Sequence, residues 1–138
     1  MLTSLWTIGI KVPDLEKELA FQRQMGNEIV VDETVEFGGE FFRLPLVKMG
    51  DKYLHLAKKM VYECLLDEPL SFGMTHLVYI SNNFDEDVVK AIANGAASLC
   101  DVADVSAGFG ERRVAFMQVP SGWIFAIIKI KHNLVPEV

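Results

Sequence analysis

Apolar and polar residues alternate through LWTIGIKV (5–12), putting Trp6, Ile8, Ile10 and Val12 on one side and Thr7, Gly9 and Lys11 on the other. A period of two predicts a strand with one covered face. The period changes at once in PDLEKELAFQRQMG (13–26), where Leu15, Leu19 and Phe21 or Gln22 recur at helical spacing between Pro13 and a terminating Gly26. From Asn27 to Lys59, β-branched and aromatic runs broken at Gly38-Gly39 and at residues 49–52 predict three antiparallel strands joined by hairpins. The order βαβββ then recurs: MTHLVYIS as strand, FDEDVVKAIANG as helix, and ASLCDVADV, ERRVAFMQV and GWIFAIIKI as strands.

The halves can be aligned. Thr7 to His76 and Gly26 to Gly95 share an offset of 69, while Gly39 to Gly110, Glu40 to Glu111 and Lys58 to Lys129 share 71. A repeat of this length implies half-modules that bury a core only together, here 1–66 and 74–138 with DEPLSFG (67–73) as linker, forming one domain. The expected fold class is α+β: two βαβββ modules paired about a pseudo-twofold axis, their mixed sheets curling around a cleft. The linker could equally serve as a hinge for exchanging modules between two chains.

Strand parity sorts the chemistry. In GDKYLHLAKK, Leu54 and Leu56 share the apolar face, leaving Tyr53, His55 and Ala57 opposite. In the second half Leu77 and Tyr79 pack on the helix with Trp123, Phe125 and Ile127, and His76, Val78, Ile124, Ala126 and Ile128 face the cleft. Thr7, His55, His76 and Ala126 thus become equivalent positions, since 76 minus 7 is 69 and 126 minus 55 is 71. Lys11 has cleft parity and suits an anionic ligand, although a strand-end lysine commonly reaches solvent. Arg43, Arg112 and Arg113 fall on hairpin strands at the rim, with solvated strand positions as the simpler reading.

The doubled βαβββ order, the openings WTIGIKVPDLEKELAFQRQMG and MTHLVYISNN, and the closing VAFMQVPSGWIFAII resemble the vicinal oxygen chelate superfamily, which includes glyoxalase I, bleomycin-resistance proteins, methylmalonyl-CoA epimerase and extradiol dioxygenases. The resemblance implies a small-molecule ligand. In metal-dependent members four central positions bind a divalent ion, usually as His or Gln, Glu or His, His, and Glu; carried over, they fall on Thr7, His55, His76 and Ala126. A hydroxyl and a methyl group stand where two ligands belong. Glu36, Glu40, Glu111 or a partner chain could restore a carboxylate.

Two functions follow. One is a protein binding a small organic molecule through Thr7, Lys11, Tyr53 and Ala126, with a degenerate metal site and no cofactor. The other is a lyase, epimerase or dioxygenase in which His55 and His76 hold Zn, Ni, Mn or Fe; as acid and base the same imidazoles could also act catalytically without metal. Whether the chain is an enzyme stays open at this point. A third reading, a purely structural or interaction domain, leaves two histidines and a lysine on one face without a purpose.

Composition narrows the partners. A formal charge of -6 with scattered basic residues argues against nucleic acid, and no run approaches the roughly 18 apolar residues of a membrane span. Cys64 and Cys100 show no CxxC spacing and read as reduced thiols. A cytoplasmic protein is expected, and the edge strands are compatible with a homodimer.

Overall fold

The alternation that opens at Leu5 extends into a ten-residue strand, β1 (Leu2–Lys11), and stops where Pro13 removes a backbone donor. The computed structural model describes residues 1–137. After β1 come α1 (Leu15–Gln24), β2 (Glu28–Val31), β3 (Thr34–Phe37), β4 (Glu40–Arg43), β5 (Leu46–Met49), β6 (Lys52–Ala57) and a 3-10 turn (Glu63–Leu65). Then follow β7 (Gly73–Ser81), α2 (Phe84–Ala93), β8 (Ala97–Ser98), β9 (Ala103–Ala107), β10 (Gly110–Gln118) and β11 (Ile124–Asn133). The chain is α+β, mostly strand with two helices in a mixed, unclosed sheet. Among the described residues, no helix is long and apolar enough to cross a membrane.

Asp14 caps α1 by accepting the Lys17 amide at 3.1 Å. Of the two residues that could continue the apolar stripe, Gln22 is buried and Phe21 is exposed. Gln22 Oε1 accepts from Asn27 Nδ2 at 2.8 Å, so the amide is satisfied where it turns inward.

Three strands were expected between Asn27 and Lys59, and five short ones form. One interruption falls at Asp32-Glu33 and another at Leu44-Pro45, where proline cannot donate to a ladder. The hairpin β3–β4 therefore stands as its own two-stranded sheet. Its turn uses Gly38 and Gly39 at φ +60° and +80°, the left-handed backbone that two-residue hairpin turns require.

The chain divides into two compact units. The Thr7–Thr75 unit, with Pro136 onward, has the strand order β2-β5-β6-β1, in which β1 and β6 are parallel and the other pairs antiparallel. Its core joins Leu15 and Leu19 of α1 to Val12, Val47, Leu54 and Leu56, with Ile8, Ile10 and Ile29 at the margin. The His76–Val135 unit, with Met1–Trp6, has the order β7-β11-β10-β8, with β9 also on β10. Its core joins Phe84 of α2 to Ala96, Ala115, Met117, Phe125 and Ile127, with Tyr79, Val88, Ala91 and Val119 beside them. Trp123, expected on the packed face, precedes β11 and is 49% exposed, its ring centroid 5.6 Å from that of Phe125.

Candidate functional site

In the Thr7–Thr75 unit the parallel register pairs Thr7 with Tyr53, Gly9 with His55 and Lys11 with Ala57. Because Ile8, Ile10, Leu54 and Leu56 pack on α1, these six residues share the opposite face. Thr7 and Tyr53 are fully buried. The Tyr53 hydroxyl donates to the Pro136 carbonyl at 2.7 Å. Thr7 Oγ1 is shielded from solvent and has no hydrogen-bond partner among the described residues, a state that costs about 1–3 kcal/mol if nothing else meets it.

His55 sits beside Leu46 of β5 and Gly9 of β1, with Nε2 shielded from solvent. Burial pushes its imidazole down to about 4 from an ordinary 6.5, so the ring is neutral at pH 7. The unfolded chain then takes up a proton near pH 6.5 that the folded chain refuses until about pH 4. Stability is therefore present in full above pH 6.5 and is lost as pH falls toward 4. We expect about 2 kcal/mol of that loss between pH 7 and 5, read as the fall in urea-unfolding free energy of the wild type relative to that of His55→Gln. Equal pH profiles in the two proteins would contradict the assignment.

Lys11 completes this face. Its side chain is 9% exposed, and Nζ donates to Glu63 Oε2 at 3.0 Å and to the Leu70 carbonyl at 2.8 Å. Glu63, on the 3-10 turn, also accepts the Met60 amide at 3.1 Å through Oε1. The Phe72 ring lies 5.4 Å from the ammonium. No regular pattern marks residues 60–66, so the sequence held no sign of this carboxylate.

In the His76–Val135 unit, His76 is registered with Ile124, and Ala126 with Val78 and Phe116. Phe125, Ile127 and Tyr79 face α2, which leaves His76, Val78, Phe116 and Ala126 on the far face. The His76 ring meets Phe116 edge-on at 6.1 Å, and Ala126 is fully buried.

Arg112 departs from expectation. Instead of lying in solvent it is 1% exposed, its guanidinium 4.8 Å from the Trp6 ring and 5.3 Å from Phe109. It donates to the His132 carbonyl and Asn133 Oδ1, both at 2.8 Å. Parity does not distinguish it from Arg113, which shares a face with the core residues Ala115 and Met117 and is nonetheless exposed. Elsewhere, a cavity of about 550 Å³ at the start of α1 is lined by Phe41, Arg43, Lys58 and Lys59. Asp14, Glu16 and Glu40 on the same wall offset its three cations.

No protein-family model and no curated protein sequence matches the chain. Solved structures do. A variant of Streptomyces coelicolor methylmalonyl-CoA epimerase in complex with 2-nitronate-propionyl-CoA aligns with a TM-score of 0.71 at 22% identity, over 96% of this chain and 100% of that one. The epimerase of Mycobacterium tuberculosis aligns at 0.70 and 15% identity, over 95% and 90%. This chain has the vicinal oxygen chelate, or glyoxalase-like, fold. A catechol 2,3-dioxygenase of the same fold aligns at 0.64 and 17% identity over 99% of this chain, which spans about half of that protein, 46%.

The metal positions of the vicinal oxygen chelate fold can be tested against these residues. Thr7 and His55 lie in one unit, His76 and Ala126 in the other. Thr7 brings a neutral hydroxyl and Ala126 a fully buried methyl group. Glu36 is exposed, Glu40 is paired with Lys59 at 3.0 Å, and Glu111 with Lys131 at 3.0 Å. Glu63 is committed to Lys11, and Asp87 accepts from Ser81. Among the described residues, no group of three or more His, Cys, Asp or Glu side chains converges. Two imidazoles without a third ligand fall short of the three or more protein ligands a catalytic divalent ion takes, and the donor set does not fit one.

Proposed function

We infer that this chain binds a small organic molecule at the sheet faces carrying His55 and His76, with a metal site degenerate at two of its four positions. The observation that carries the reading is the burial of Thr7 and Ala126 where metal-dependent members of the fold place ligands. A face that is largely apolar, with a few fixed polar groups, suits recognition of a small molecule. Thr7, Tyr53 and Lys11 are its polar groups in one unit, and Ala126 lends an apolar surface in the other. The epimerase of similar fold holds 2-nitronate-propionyl-CoA, which supports a small-molecule role here. In this reading the protein resembles the metal-free, drug-sequestering members of the superfamily, and acts in the cytoplasm. The repeated order of strand, helix and strands supports modules at 1–66 and 74–138. Open edges at β2 and β8 would suit a homodimer.

Elemental analysis of protein purified without a metal-affinity tag tests this directly. We expect no stoichiometric Zn, Ni, Mn or Fe, before or after incubation with each ion. Stoichiometric metal that disappears in both His55→Ala and His76→Ala would overturn the reading in favour of a metal-dependent lyase, epimerase or dioxygenase. That second reading has one observation on its side: burial holds His55 in the neutral form that ligates metals.

A further inference from the structure

Strand parity alone puts Lys11 on the same face as Thr7, Gly9 and His55, two residues beyond Gly9. An apolar side chain would be less costly there, since replacing a buried ion pair with hydrophobic residues is often neutral or stabilising. The chain instead keeps an ammonium and a carboxylate whose side chains are 9% and 5% exposed. The carboxylate does not come from the sheet. It arrives on the 3-10 turn that follows β6, whose Ala57 is the register partner of Lys11.

Nζ is a buried cation whose one charged neighbour among the described ion pairs is Glu63. A lysine ammonium has three N–H donors. Two are taken, by Glu63 and the Leu70 carbonyl, and the nearby Phe72 ring is 61% exposed. The third group beside the amine is thus an aromatic ring that is itself largely exposed. Displacing Glu63 from Lys11 by another carboxylate would conserve the ion pair and return the Glu63 side chain to water.

We propose that Lys11 is the carboxylate-recognising residue of the binding face and that Glu63 is a tethered internal competitor for it. This rests on the small-molecule reading above and gives the ligand its chemical class, an organic carboxylate. A competitor on a short tether acts at millimolar effective concentration, so simple carboxylates bind the wild-type protein weakly. Weakening the tethered carboxylate raises their affinity.

The test is an NMR titration with acetate, using chloride at the same ionic strength as reference and following the Phe72 ring and Lys11 Nζ resonances. Glu63→Gln, which keeps the shape and removes the charge, is expected to bind acetate about ten-fold more tightly than wild type. Glu63→Asp, which withdraws the carboxylate, should move in the same direction and decides the matter if Glu63→Gln does not fold. Adding Lys11→Met to either should abolish binding. If neither variant folds, the wild-type titration decides, with acetate shifting both resonances where chloride does not. A folded variant that answers acetate and chloride alike, or a shift that survives Lys11→Met, overturns the proposal. The readout involves no metal and no natural ligand, so its failure leaves the small-molecule reading to elemental analysis and ligand screening.

Discussion

Glu63→Ala lowers the stability of the protein by about 3–5 kcal/mol, the usual cost of leaving one member of a buried ion pair without its partner. Lys11 Nζ would keep the Leu70 carbonyl but lose its charged acceptor, and the Met60 amide would lose Glu63 Oε1. In a domain whose total stability is of order 5–15 kcal/mol, this lowers the melting temperature by roughly 10–17 °C. The double variant Lys11→Met with Glu63→Leu removes both charges and recovers most of the loss. Urea denaturation of the wild type, Lys11→Met, Glu63→Leu and the double variant completes the cycle. Additive losses in the double variant would mean that the two side chains do not act as a pair.

Gly110→Ala should cost about as much, for a different reason. Gly110 opens β10 at φ +109°, a conformation that side chains rarely adopt, and an added Cβ would lie 2.1 Å from the His132 carbonyl oxygen. Backbone atoms cannot give way as a flexible side chain can. Strain of about 1–3 kcal/mol from the dihedral adds to a similar overpacking cost. The damage extends to Arg112, because the carbonyl that must move is the one its guanidinium holds at 2.8 Å. Denaturant midpoints, together with the near-ultraviolet circular dichroism of Trp6 beside Arg112, would show both effects. A variant as stable as wild type would contradict this account.

The sequence disclosed most where one physical rule acted alone. Alternation in LWTIGIKV and MTHLVYIS set the faces of β1 and β7, and so the side on which Thr7 and His76 lie, as GDKYLHLAKK did for His55. Helix limits followed from Pro13 and the glycines after each helix. Interruptions were harder to see, because Leu44-Pro45 sits within an otherwise continuous run of strand-forming residues. Long-range polar partners were invisible. Nothing in YECLL announces that Glu63 will meet Lys11, and the burial of Arg112 depends on Trp6 and Phe109 approaching it from distant parts of the chain. The bulge between Glu111 and Arg112 adds a register change that no period of two contains.

The division of β1 between the compact units also bears on how the protein comes into being. Residues Met1–Trp6 belong with His76–Val135, while Thr7–Lys11 belong with the chain up to Thr75. During synthesis, Met1–Trp6 must therefore wait for β7 and the strands after it, with their strand-forming backbone unpaired. The Thr7–Thr75 unit can begin to assemble meanwhile, although the acceptor of its Tyr53 hydroxyl is the carbonyl of Pro136. Neither unit is a continuous stretch of chain, and each is completed only by a segment distant in sequence from its first part.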